Sequence, residues 1–307
     1  MKIVVMGTGG VGGYYGGLFA RQGHEVFFVA RGAHLKAIQE KGLQIKSIHG
    51  DFSIHPAHAG EDPAEFGVAD LVLFCTKTYD TEQAAQKLLP VIGDETTVMS
   101  FQNGVDSAAR IGEVIGQEHL IGSAAWISSM IEAPGVIGQV SRFRRVALGE
   151  LDGRQSARIK KLCKTWQEFD MDVDCSRDIQ SVLWTKFLFI SAISGIGSLV
   201  RLTVGEYRSI PETRTLLATL MREVEAVARA QGIRLASDIV TQTLAFIDQA
   251  SPMLKPSMQV DVESGRRTEL DSMIGFICRR GRELGYPTPV ADMIYAILLP
   301  VQLKALI

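Results

Sequence analysis

The sequence predicts an α/β protein, with a helix-covered parallel sheet in its first half and an all-helical second half. Three observations carry this. Short β-rich runs alternate with helical stretches through the first half, as in βαβ units. A glycine-rich loop sits between the first such run and the first helix. From about residue 178 onward the apolar period becomes helical.

The elements follow in order. Residues 2–6 (KIVVM) read as a buried strand, 14–22 as a helix, and 25–29 (EVFFV) and 70–75 (DLVLFC) as further strands. Residues 96–100 and 119–123 supply two more short candidates. The stretch 136–149 reads as an edge or antiparallel addition, because Gly138, Arg142, Arg144 and Arg145 interrupt its apolar pattern. In the second half, 179–194 carries apolar residues at 179, 182, 183, 187 and 190, one helix face. A long amphipathic helix over 212–230 buries Leu216, Leu217, Leu220, Val224 and Val227, and Gly232 stops it. Residues 237–249, 257–284 and 288–304 read as further helices, with Pro287 and Pro289 as punctuation and Pro300 as a kink. The last is apolar at 294, 297, 298 and 301, which serves a core or a homodimer contact equally well. The expected organisation is a dinucleotide-binding domain over 1–177 and a helical substrate and catalytic domain over 178–307.

Composition narrows the function classes. The chain has 307 residues, 46% apolar and 21% charged, with a net charge of -2. That balance argues against a large basic face for nucleic acid or an anionic membrane. Cys75, Cys163, Cys175 and Cys278 are widely spaced with no CxxC pair, so neither a zinc site nor a disulfide framework is expected, and the reading is a reducing, cytoplasmic setting. No metal is called for. The opening apolar run ends at Gly7, too short for a signal peptide. No run of about 18 apolar residues is seen, so no membrane span is expected.

Gly7-Thr8-Gly9-Gly10-Val11-Gly12 is a GxGxxG that follows a strand and opens a helix. Its first glycine permits the tight turn, its second lets the backbone approach a pyrophosphate, and its third lets helix and strand pack closely. The helix N-terminus then offers N–H groups and a positive dipole end to the phosphates. This is the fingerprint of a Rossmann-type domain. At the end of the second strand an NAD site carries an acid for the ribose 2′-hydroxyl. This chain instead has Arg31-Gly32, and an arginine there suits the 2′-phosphate of NADPH. Lys77, after the next strand, and Asn103, in Phe101-Gln102-Asn103-Gly104, stand where strand ends face the cofactor crevice. The bland alternatives are a solvated lysine and an ordinary Asn-Gly turn.

Carbonyl reduction also needs a proton. All six histidines precede residue 120, so a donor from the helical half would be a lysine. Lys186, in Leu183-Trp184-Thr185-Lys186-Phe187-Leu188, is a charge set in an apolar helix. It either lays its stem over apolar surface or is used. Partial burial would lower its pKa and make it a better acid.

With these motifs in view, the chain resembles the ketopantoate reductases (2-dehydropantoate 2-reductases) over nearly its whole length. The likeness rests on GTGGVG, the arginine after the second strand, CTK, FQNG, LWTK, and a late SGRRTELD followed by GFICRRGRELGYPTP. It implies an N-terminal Rossmann domain, a C-terminal helical domain, an NADPH cofactor, a small 2-oxo acid substrate and a place in pantothenate biosynthesis. It implies that Lys186 is the general acid and that Glu269 binds near the reacting oxygen. Ser257 would hold the substrate carboxylate, and Asn103 and Lys77 would face cofactor or substrate. The chain departs from the family where pantoate-forming members carry asparagines, four and eight residues past the lysine. Here Ile190 and Ser194 stand. Helical spacing puts all three on one face, so Ile190 and Ser194 would line the substrate pocket. An isoleucine offers a substrate hydroxyl no hydrogen bond, and an unpaired hydroxyl costs about 1–3 kcal/mol. Two readings therefore stand beside ketopantoate reduction: a paralogous reductase of a more apolar 2-oxo acid, and a non-catalytic NADPH-binding regulator.

Overall fold

The computed structural model describes residues 1–306. By their packing these form two compact units, one of Met1–Gln102 with Asp106–Ile179, the other of Asn103–Val105 with residues 180–306.

The strands are β1 (Lys2–Met6), β2 (Glu25–Val29), β3 (Leu43–Ser47), β4 (Phe52–Ile54), β5 (His58–Gly60), β6 (Leu71–Phe74), β7 (Thr97–Ser100), β8 (Leu120–Trp126), β9 (Ser129–Ala133), β10 (Val136–Gln139), β11 (Arg145–Gly149) and β12 (Asp172–Cys175). Helices α1 (Gly10–Arg21), α2 (Gly32–Lys41), α3 (Thr81–Leu88), α4 (Ser107–Ile115) and α5 (Ala157–Gln167) belong to the same unit. The main sheet has eight strands in the order β12-β11-β8-β7-β6-β1-β2-β5. From β5 to β8 every pairing is parallel. Ranked along the chain, these six strands read 3-2-1-4-5-6, the order of doubly wound dinucleotide-binding sheets, with the order reversing beside β1. β11 pairs antiparallel to β8 and carries β12 parallel to itself.

A sheet covered on both faces needs unbroken apolar strands, and KIVVM supplies one. Ile3 and Val5 enter the core on one face, Val4 and Met6 that on the other. Helix α1 is pressed from two sides. A Cβ on Gly16 would lie 2.6 Å from Val5, and one on Gly13 would lie 2.7 Å from Ile137 on β10. The second contact belongs to a four-stranded sheet, β4-β3-β10-β9, which the sequence reading did not anticipate. The expected addition over 136–149 is therefore two strands in two different sheets.

Cys163 and Cys175 form a disulfide, Cα to Cα 6.0 Å, joining α5 to β12. The expectation of no disulfide is corrected here, because the turn at the end of α5 brings two residues 12 apart into register. Cys75 and Cys278 are free, and the described residues hold no group of three or more metal-ligating side chains.

The second unit contains α6 (Ile179–Val200), α7 (Val204–Arg208), α8 (Pro211–Ala230), α9 (Ile239–Gln249), α10 (Ser257–Glu263), α11 (Ile274–Leu284) and α12 (Pro289–Lys304). α6 is long and apolar enough to cross a membrane by length and composition, contrary to the sequence reading. Its apolar window is 61% buried inside the protein, as in a core helix. α8 ends in a Schellman pair: the Ile233 amide donates to the Ala228 carbonyl, and that of Gly232, at φ +79°, to Arg229. On α12, Ile294 and Leu298 are buried while Ile297 is exposed. Pro300 lies inside that helix.

One departure bears on function. The helix expected over 257–284 is two helices, α10 and α11, separated by 264–273. Gly265 adopts φ +64° at the break, and the Arg266 amide turns back to the Asp261 carbonyl. The Thr-Glu-Leu-Asp segment therefore lies off any helix axis.

Candidate active site

In the first unit, three loops meet at the carboxyl ends of adjacent strands. Register places Met6 opposite both Val29 and Phe74, and Phe74 opposite Ser100. The residues that follow, Gly7, Cys75 and Phe101, therefore emerge along one sheet edge. Gly7 has φ +99°, and a Cβ there would lie 3.0 Å from the Thr76 amide nitrogen. Gln102 fastens the other side, its Nε2 donating to the Thr76 carbonyl at 3.1 Å and to Thr81 Oγ1 at 2.9 Å. Lys77 and Asn103, next to these anchors, are half-buried. Asn103 packs with the helical unit, although the strand before it belongs to the sheet.

The glycines divide their work. A Cβ on Gly12 would meet the Gly7 carbonyl oxygen at 2.2 Å, and one on Gly10 the Ser129 carbonyl oxygen at 2.3 Å. A Cβ on Gly9 would meet nothing within 4 Å. Gly9 is also the N-cap of α1 and brings no side-chain acceptor to the helix start. An anion thus has open room and uncapped N–H groups before it, so the loop fits a dinucleotide pyrophosphate. Val11 follows on the first turn of α1, half-buried. Thr8 behaves otherwise: its amide and its Oγ1 both donate to the Val29 carbonyl, at 2.9 and 3.0 Å. It shapes the loop by tying it to the end of β2.

The Arg31 side chain is 87% exposed and sits 3.8 Å from the Asp80 carboxylate. Exposed pairs of this kind contribute about 0–1 kcal/mol, so the guanidinium is available to a stronger anion. No acid stands at the end of β2, where Val29 leads to Ala30 and Arg31. Two polar atoms that sequence reading missed are buried near the loop without a hydrogen-bond partner among the described residues, His34 Nε2 and Ser129 Oγ.

In the second unit, α6 carries Lys186 between buried Trp184 and Phe187. The rings of Trp184, Phe187 and Phe276 pack mutually within 6.0 Å. Desolvation lowers the Lys186 pKa to about 8, and the Glu269 carboxylate opposes that shift. Glu269 is 5% exposed. Its segment is held from outside: Gln302 Oε1 accepts from the Thr268 amide at 2.9 Å and from Thr268 Oγ1 at 2.7 Å, and Ser272 Oγ donates to the Glu269 carbonyl at 3.1 Å. A polar residue on an apolar helix was the available signal for Gln302. Ile190, one turn past Lys186, is half-buried, and Ser194 is 1% exposed. Ser257, the first residue of α10, is exposed.

A doubly wound sheet with a glycine loop at the point where its order reverses, joined to a helical unit with a desolvated lysine beside a carboxylate, defines a nicotinamide-dinucleotide-dependent oxidoreductase. Residues 3–153 match the family model "Ketopantoate reductase PanE/ApbA", and residues 178–302 match its C-terminal model. The chain belongs to the ketopantoate reductase family, whose members act on a CH–OH group with NAD(P). Among its relatives are the uncharacterized oxidoreductase YkpB of Bacillus subtilis, 30% identical over 97% of this chain and 98% of that one. A 2-dehydropantoate 2-reductase of Mesorhizobium japonicum is 30% identical over 97% of each. A solved family structure, from Ralstonia eutropha, superposes with a TM-score of 0.91 over 100% of both chains at 30% identity.

Proposed function

We propose that this protein reduces the ketone of 2-dehydropantoate to give pantoate, using NADPH, with Lys186 as proton donor. The observation that carries the reading is Lys186: an ammonium whose pKa desolvation brings to about 8, in the presence of a buried carboxylate. At pH 7 such a group is charged and can part with its proton, as a general acid working near neutrality requires. Bound NADPH supplies the hydride.

The remaining roles belong to the chain. The N-terminus of α1 receives the pyrophosphate, and Gly9 leaves room for it. Arg31 meets the 2′-phosphate, while Lys77 and Asn103 contact cofactor or substrate. Lys186 donates its proton to the ketone oxygen as that oxygen gains charge. Glu269 keeps Lys186 protonated and contacts the nascent hydroxyl. Ser257 donates to the substrate carboxylate. Holding the reactants in register supplies much of the rate.

Ile190 and Ser194 favour a second reading, a 2-oxo acid with a more apolar side chain, because Ile190 cannot bond a substrate hydroxyl. A panel of 2-oxo acids, each assayed with NADPH and NADH, decides. The expected result is the highest kcat/KM with ketopantoate and a clear NADPH preference that Arg31→Ala abolishes. A branched or aryl 2-oxo acid outrunning ketopantoate would transfer the assignment to the second reading. Equal use of both dinucleotides would overturn the cofactor choice.

A further inference from the structure

Arg31 and Asp80 reach each other from opposite sides of one strand. β1 pairs with β2 on one side and with β6 on the other. Arg31 follows β2, Asp80 follows β6, and their side chains meet at 3.8 Å. The ion pair therefore spans the strand whose carboxyl end becomes the glycine loop. That end is where the sheet order reverses and where doubly wound folds bind a dinucleotide.

The two partners are unequal. The Arg31 side chain is 87% exposed and that of Asp80 29%. The turn that carries Asp80 is held in place. The Asp80 amide donates to the Lys77 carbonyl at 3.0 Å, and the Thr78 carbonyl accepts from Thr81 Oγ1 at 2.8 Å and from Arg110 Nη2 at 3.0 Å. Arg110 is itself committed to Glu82, through Nε at 2.8 Å and Nη2 at 3.0 Å. As N-cap of α3, Asp80 makes no side-chain capping bond, which leaves its carboxylate facing Arg31. The carboxylate is thus the fixed charge of the pair, and the guanidinium is the one with room to turn.

An arginine at the end of β2 grips the 2′-phosphate of NADPH. A phosphate gripped by Arg31 lies within about one Debye length, ~8 Å at physiological salt, of the Asp80 carboxylate. It must share the guanidinium with that carboxylate and also face a like charge. The 2′-hydroxyl of NADH carries no charge and meets neither penalty. We propose that Asp80 is a specificity-determining residue that opposes the 2′-phosphate and so holds the affinity for NADPH down, while leaving NADH untouched. Arg31 and Asp80 together then set the margin between the two cofactors. The inference rests on the reading that Arg31 meets the 2′-phosphate.

Asp80→Asn and Asp80→Ser both remove the charge and keep a residue suited to an N-cap, so both should melt near the wild type. Dissociation constants for NADPH, NADH, 2′,5′-ADP and 5′-AMP are read by fluorescence or calorimetric titration without substrate, at low and high salt. Both variants should bind NADPH and 2′,5′-ADP about three- to tenfold more tightly and keep NADH and 5′-AMP within about twofold. The gain should shrink as salt rises, because the charges are exposed. Unchanged or weaker 2′,5′-ADP binding, an equal gain for 5′-AMP, or a gain in one variant alone would each overturn the inference. Arg31→Ala tests the reading beneath it. If that variant loses 2′,5′-ADP while the Asp80 variants bind like the wild type, the cofactor reading stands and this inference fails. If Arg31→Ala binds 2′,5′-ADP like the wild type while the Asp80 variants still gain, the role given to Arg31 fails and the opposition by Asp80 stands.

Discussion

The glycine loop of the first unit and the Lys186 segment of the second prepare for chemistry in opposite ways. The loop works by omission. At Gly10 and Gly12 a Cβ would strike backbone within 2.3 Å, and at Gly9 it would fill the space a ligand needs. The Lys186 segment works by surrounding: burial strips water from an amine, and a buried carboxylate offsets part of the cost. Phosphates can be held by backbone alone, since N–H groups and a helix dipole are already there. Moving a proton near pH 7 needs a side chain with a shifted pKa, and shifting it needs desolvation.

The comparison is open to breakage, starting with the largest effect. Lys186→Ala should lower kcat by about 10²–10⁴-fold, the usual contribution of a general acid, and leave dinucleotide affinity unchanged by titration. A parallel loss of dinucleotide binding would merge the two roles. Gly12→Ala and Gly9→Ala should then differ. The first forces a backbone clash and should cost about 1–3 kcal/mol of stability in thermal or denaturant unfolding. The second should melt like the wild type yet bind NADPH more weakly. Gln302→Leu removes the clamp on Thr268 and should lower kcat more than it raises KM, with about 1–3 kcal/mol lost from folding. The smallest effect is on pH. Lys186 must be protonated to act, so kcat/KM should fall as pH rises through about 8. Glu269 holds that pKa up, so Glu269→Gln should move the falling limb to lower pH. A limb that stays put would remove Glu269 from the proton's surroundings.

Much of the first unit could be read directly. KIVVM followed by GTGGVG announces a strand, a turn and a helix, because local sterics dictate each step. The second sheet could not be read. β3 and β4 are short and alternate in burial, and β10 joins β3 across some 90 residues, a pairing no local pattern reveals. The glycines of α1 were a usable signal, since a helix with so few side chains must be approached closely on more than one face. In the second unit Lys186 was legible as a charge among apolar neighbours. The break that carries Glu269 was not, because 264–273 keeps apolar residues at spacings a helix also allows, and only Gly265 hints at the turn. His34 looked like any of six histidines until Gly135, some 100 residues on, was seen to bond its ring.

The tripeptide Asn103–Val105 packs with the helices although strand β7 delivers it, so the polypeptide crosses between units after residues 102, 105 and 179. Severing the chain at 179 therefore yields no faithful helical fragment. The piece beginning at Gln180 lacks Val105, which packs against its core, and lacks Asn103 as well. The helical unit is discontinuous along the chain, and a shuffled or split version would have to carry those three residues along.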